Sequence, residues 1–156
     1  DVANTMIAQL LYLSSDSSNK DIKIYINSPG GDVMSSLAIY DTMQFISNQI
    51  ETICVGTAAS AAAVLLAAGS KGKRKILENS SVMIHQPRGL VAGQVTDMQI
   101  SMQRFEKMKV KLTEILAKHT EHGFDFIKDR CERDYWFDAP AALEFGLVDT
   151  VIKSSK

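Results

Sequence analysis

Few side chains in this sequence have the type and setting for covalent chemistry. Ser60 stands in the run GTAASAAA (Gly56–Ala63), where every close neighbour is small. A hydroxyl that attacks a carbonyl needs an open approach, a base to take its proton, and N–H donors for the oxyanion that forms. The run supplies the open approach, and amides at a helix start would supply donors. The same serine also suits an ordinary helix N-cap, which asks only for a side-chain oxygen. A second segment, NSPGGD (Asn27–Asp32), brings Gly30 and Gly31, whose bare backbone lets another chain come close.

Three imidazoles are available as the base: His85, His119 and His122. His119 and His122 fall at the end of a long helical pattern, where a cation suits the helix dipole. His85 closes an apolar strand and precedes Gln86-Pro87, so it is the better partner for Ser60 if the fold brings the two within reach. The carboxylate that would orient it stays open among Asp125, Asp129, Asp134, Asp138 and Asp149. GTAAS is not the GxSxG elbow motif, and no GxxxxGK[ST] phosphate loop occurs; GSKGKRK reads as a basic turn. Cys54 and Cys131 form neither a CxxC nor a metal-ligand spacing and read as reduced core thiols of a reducing compartment.

The elements that would carry these residues follow from periodicity. Helical spacing covers about Asp1 to Ser14, and SSDSSNKD is a polar loop. IKIYI (Ile22–Ile26) is a strand broken by SPGG, after which Val33–Ile46 is helical with Asp32 as its N-cap. ETICV is a strand, GTAAS its exit turn, and a helix runs from about Ser60 to Ala68. SSVMI (Ser80–Ile84) is a third strand. Alternating strands and helices imply an α/β domain with a mainly parallel sheet, and sites in such sheets gather at the strands' carboxyl ends. From about Thr96 to Thr120 there is no Gly or Pro, and apolar residues recur at helical spacing. Such a helix is roughly 36 Å long, more than this domain needs to cover its sheet, so its outer part is expected to project towards another subunit.

Composition fits one globular domain of 156 residues, 46% hydrophobic and 22% charged. A net charge of −1 gives no global attraction to nucleic acid or anionic membranes. The uncharged stretch Thr52–Ser70 reads as strand, turn and helix, not as a spanning segment. No signal peptide is expected from the opening residues, which begin at Asp1.

Taken together, IYINSPGGDV, GTAAS, GSKGKR, MIHQP and ERDYWFDAPAALEFGLVD, in this order, resemble the proteolytic subunits of the Clp protease family. The resemblance covers nearly the whole chain. It implies a crotonase-like α/β subunit with repeated strand–helix units and a protruding handle at about residues 88–120, the family's N-terminal axial segment lying outside the sequence. It further implies Ser60 as nucleophile, His85 as base, Asp134 as orienting acid, and the backbone N–H groups of Gly31 and Ala61 as oxyanion donors. Gln86 and Arg133 match positions tied to oligomer packing and switching, and Arg88–Gly93 matches a strand and turn leading into the handle.

The implied function is a serine endopeptidase, assembled as heptameric rings stacked into a tetradecamer. It would receive unfolded polypeptide from an AAA+ unfoldase of the ClpX, ClpA or ClpC type. The subunit itself needs no cofactor, since the unfoldase uses the ATP, and neither nucleic acid nor a membrane is an implied partner. The location would be cytoplasmic in a bacterium, or the plastid stroma or mitochondrial matrix otherwise. A non-catalytic ring subunit and an acyl-CoA enzyme of the crotonase superfamily are the alternatives. The chain departs from the family pattern at Ala61-Ala62, Thr57 and Arg88; an apolar residue is expected at the last.

Overall fold

A computed structural model describes all of residues 1–156. Helix α1 (Val2–Asp16) precedes β1 (Ile22–Ser28), whose isoleucines are buried while Lys23 and Tyr25 face out, as alternation requires. Helix α2 (Val33–Phe45) is capped by Asp32, whose carboxylate accepts from the Ser35 N–H at 2.7 Å. Strand β2 (Ile50–Ala59) and helix α3 (Ala61–Ala67) follow, then β3 (Arg74–Leu77), β4 (Ser81–Ile84), the long α4 (Val95–Thr120), α5 (Phe124–Arg130), β5 (Tyr135–Phe137), α6 (Ala139–Phe145) and β6 (Thr150–Ile152).

The six strands form one sheet in the order β5-β4-β2-β3-β6, with β1 also on β2. Every pairing is parallel except β4 with β5. Strand β2 is the hub. On one edge it pairs with β1; on the other its first half pairs with β3 and its second half with β4. The change of neighbour falls at Gly56, which adopts φ +85°, open to glycine at little cost. Strand β2 therefore continues through Gly56, Thr57, Ala58 and Ala59, where the sequence suggested a turn. Likewise β3 occupies part of the expected basic turn, because Arg74 is buried and paired with Asp149. One apolar core of 30 residues gathers β1, β2, β4, α2, α3 and the C-terminal half of α4.

Helix α4 has 26 residues, a length of about 39 Å. Its buried residues lie between Leu112 and Thr120, whereas Val95, Ile100 and Met102 are exposed, so its N-terminal part lies outside the apolar core. Residues 85–94 form no strand, unlike the strand and turn expected at Arg88–Gly93. A strand needs a paired edge, and within the subunit this segment has none; it lies on α4, with Gly89 against the Phe105 ring. No helix is long and apolar enough to cross a membrane.

Candidate active site

Ser60 sits between the last residue of β2 and the first of α3. Its backbone has φ 59° and ψ −126°, a conformation an L-residue occupies only under constraint, typically at a cost of about 1–3 kcal/mol. The chain turns sharply from strand into helix there, and the side chain stands at the apex. This is an elbow in geometry without the GxSxG sequence that usually signals one. Ser60 holds the N-cap position of α3, yet its side chain makes no cap hydrogen bond. The hydroxyl instead meets His85 Nε2 at 2.7 Å. A capping role is thereby set aside by geometry.

His85 directly follows β4, the parallel neighbour of the second half of β2, so both residues emerge at the carboxyl ends of adjacent strands. Topology also selects the carboxylate. Strand β5 runs antiparallel to β4 with Ile84 opposite Tyr135, so the residue before β5 lies beside the residue after β4. That residue is Asp134, and its Oδ1 lies 3.1 Å from His85 Nδ1. With Nδ1–H donated to this carboxylate, Nε2 is left to accept the Ser60 proton. The His85 side chain is 11% exposed and that of Asp134 is 38% exposed. Partial desolvation opposes the charge of Asp134, but the hydrogen bond and charge of Arg88, followed by those of His85, outweigh it and hold the carboxyl below its usual range.

The other candidates have different work. Asp138 caps α6 by accepting from the Ala141 N–H at 2.9 Å, and Asp149 pairs with Arg74. Asp125 and Asp129 lie on α5. His119 is not the helix-end cation the sequence suggested. Burial first, then the Lys118 and Arg74 charges, push its pKa down to about 4, and the Tyr40 hydroxyl lies 3.0 Å from its Nε2. His122 donates to the Phe145 carbonyl at 2.8 Å. Both cysteines are free and buried, and burial raises each thiol to about 11.

Gly31, Ser60, Ala61, His85 and Arg88 line a cavity of about 140 Å³, together with Lys109, Thr113 and Cys131. The N–H groups of Gly31 and Ala61 donate no hydrogen bond within the subunit. The glycine loop reaches this spot because Gly30 has φ +93°, and the place its Cβ would occupy is 2.7 Å from both Ala59 O and Ser60 Cβ. Two unpaired donors thus flank the nucleophile on different segments, as an oxyanion hole requires. Gln86 ties the His85 segment to the turn before Asp134: its N–H donates to Cys131 O at 2.7 Å and its side chain to Glu132 O at 3.1 Å. Arg133 makes no hydrogen bond or ion pair inside the subunit. Arg88, which the sequence marked only as a departure, forms an ion pair with Asp134.

The Clp protease family model matches residues 1–155. The ATP-dependent Clp protease proteolytic subunit of Bacteroides fragilis is 53% identical over 150 residues, covering 96% of this chain and 72% of the relative. The protein of the same name from Bacteroides thetaiotaomicron is also 53% identical over 150 residues, covering 96% of this chain and 68% of its own length. The chain belongs to the Clp protease family.

Proposed function

We propose that this subunit is a serine endopeptidase in which Ser60 is the nucleophile, His85 the general base and Asp134 the residue that orients it. The observation that carries the reading is the continuous path from Ser60 Oγ to His85 Nε2 at 2.7 Å and from His85 Nδ1 to Asp134 at 3.1 Å, on a serine whose hydroxyl has no structural partner.

Attack begins as Ser60 Oγ adds to the scissile carbonyl while its proton passes to His85 Nε2. Asp134 stabilises the resulting imidazolium. The carbonyl oxygen gains negative charge beside the Gly31 and Ala61 N–H groups, each such donor being worth about 2.7–4 kcal/mol in comparable sites. Collapse of the tetrahedral adduct breaks the C–N bond, and His85 returns its proton to the leaving amine. Water then hydrolyses the acyl-enzyme by the same proton path in reverse order. Side chains, amides and water supply every step, so the subunit needs no cofactor.

The family supports a self-compartmentalised assembly of two stacked heptameric rings, fed with unfolded polypeptide by an ATP-consuming AAA+ unfoldase. The exposed apolar residues on the outer part of α4 support that helix as a subunit contact, the handle of the assembly. Arg133, unpaired inside the subunit, suits a role in packing between subunits. A cytoplasmic setting fits bacterial relatives of this kind.

A fluorophosphonate probe should label the wild-type assembly at Ser60, and Ser60→Ala should abolish both labelling and peptide cleavage without changing particle size. A wild-type particle that assembles but is neither labelled nor active would overturn the reading in favour of a non-catalytic ring subunit. Turnover of CoA thioesters without peptidase activity would overturn it in favour of acyl-CoA chemistry.

A further inference from the structure

Asp134 is held differently from Asp32, Asp138 and Asp149. Asp32 receives the Ser35 N–H, Asp138 the Ala141 N–H, and Asp149 the N–H groups of Gly72 and Arg74. Asp134 receives no backbone N–H. Its hydrogen bonds come from two side chains, His85 Nδ1–H and the Arg88 guanidinium, and both end on Oδ1. The carboxylate is 38% exposed. Without Arg88 its orientation would rest on the histidine it is meant to orient.

Arg88 is also carried in a defined way. It follows Pro87, which fixes its own φ, and precedes Gly89, whose missing Cβ lets the backbone lie on the Phe105 ring of α4; a Cβ there would come within 1.9 Å of Phe105 Cζ. The segment bearing Arg88 is thus seated on the long helix while its guanidinium reaches the turn before β5.

We propose that Arg88 is a positioning residue for this site: it holds the Asp134 carboxylate through the same oxygen that faces His85, and its charge shifts the acid limit of the reaction. The inference rests on the triad reading above. A cation beside Asp134 opposes the arrival of a second positive charge on the neighbouring imidazole. Removing it makes the base easier to protonate, so the acidic limb of the rate profile moves to higher pH. The other groups around the base are fewer. Lys109 of α4 lines the cavity and lies 3.9 Å from Glu132 Oε2; Cys131 is a neutral thiol; Ser60 is uncharged. Arg88 is itself 69% exposed, so screening keeps the shift to about half a pH unit.

The test is the pH dependence of kcat and kcat/KM on a fluorogenic peptide for the assembled wild type, Arg88→Leu, Arg88→Gln and Arg88→Lys, with Ser60→Ala as the blank. Arg88→Leu should lower kcat about three- to tenfold and raise the acidic limb of kcat/KM by about half a unit. Arg88→Gln keeps a donor without the charge, so it should move the limb equally and lose less kcat. Arg88→Lys keeps the charge and should restore the limb. Should Arg88→Leu change particle size, the Gln and Lys variants decide the matter between them. Leu and Gln profiles that superimpose on the wild type, or a kcat that rises in Arg88→Leu, would overturn the proposal while a labelled, active wild type leaves the triad reading standing. An unlabelled wild type strikes at the triad reading itself.

Discussion

Substituting Gly30 by alanine should disable the enzyme while leaving every side chain of the triad unreplaced. The added Cβ would sit 2.7 Å from Ala59 O and 2.7 Å from Ser60 Cβ, and 3.2 Å from Ala61 N. Contacts below 3.4 Å are tighter than almost all real Cβ contacts, so the glycine loop must withdraw by about 0.7 Å. The neighbours cannot yield instead, because Ala59 is a paired residue of β2 and Ser60 is already in a constrained conformation. A donor placed about 2.9 Å from an oxyanion would then stand about 3.6 Å away, which is no longer a hydrogen bond. Loss of one oxyanion donor lowers kcat by about 100- to 1000-fold. The φ of +93° adds a folding cost of about 1–2 kcal/mol for any residue with a Cβ. Gly31→Ala is the control, since a Cβ on Gly31 meets nothing within 4 Å and its φ is not in the left-handed region. Steady-state cleavage of a fluorogenic peptide, with particle size checked by gel filtration, should find Gly31→Ala within about threefold of wild type and Gly30→Ala at least about 100-fold down. Equal activities for the two variants, or a Gly30→Ala enzyme within about threefold of wild type, would refute the close approach of the glycine loop as the basis of the oxyanion site.

Strain at Ser60 should be visible in stability: Ser60→Gly and Ser60→Ala lose the same hydroxyl, but only glycine tolerates φ 59°, ψ −126°, so the Gly variant should be the more stable by about 1 kcal/mol in thermal melts of the two inactive particles. Arg74 is a buried cation that donates to both oxygens of Asp149 and to the carbonyls of Ala67, His119 and Gly146; Arg74→Met should cost about 3–5 kcal/mol in urea unfolding, because it strands a carboxylate and three acceptors at once. His119 has a folded pKa of about 4 against an ordinary 6.5. A base with a depressed pKa contributes stability above the unfolded value and loses it as pH falls from about 6.5 towards 4, so wild-type stability should drop by about 1–3 kcal/mol between pH 7 and 4.5. His119→Gln, which still accepts from Tyr40, should flatten that part of the profile.

The helices and strands with strong periodicity were legible from residue types. IKIYI alternates, the stretch after Asp32 is capped and apolar on one side, and the long run before His119 lacks any breaker. Strand β3 was hidden because one of its two buried members is an arginine, and a charged residue reads as surface unless its partner 75 positions away is known. Strands β5 and β6 have three residues each, too few for a period to register. Of the site, the serine, the histidine and the glycine pair stood out by type and neighbours. The carboxylate did not, since five aspartates were equivalent until β5 was seen to run antiparallel to β4. One reversed strand turns a distant position in sequence into the residue beside His85. Arg88 was legible only as a departure from the family pattern, because the ion pair with Asp134 depends on where an irregular loop lies.

The small residues around Ser60 answer a different need from the one their size first suggests. Alanines beside a nucleophile read as room for a substrate, yet Ala58, Ala59, Ala61, Ala62 and Ala63 are all at most 5% exposed. They are packed. Each lets a neighbouring segment come closer than a larger side chain would permit: β4 and β1 against β2, the helix core behind α3, and the glycine loop over Ala59 and Ser60. That dense seating supplies the energy that holds one serine in a conformation it would leave if free. The open space at the hydroxyl is a consequence of the turn, which lifts Oγ out of the packed layer into the cavity shared with His85. Enlarging a buried alanine of this run should therefore lower activity by relaxing the turn and withdrawing Oγ from His85, even where the new side chain points away from the substrate.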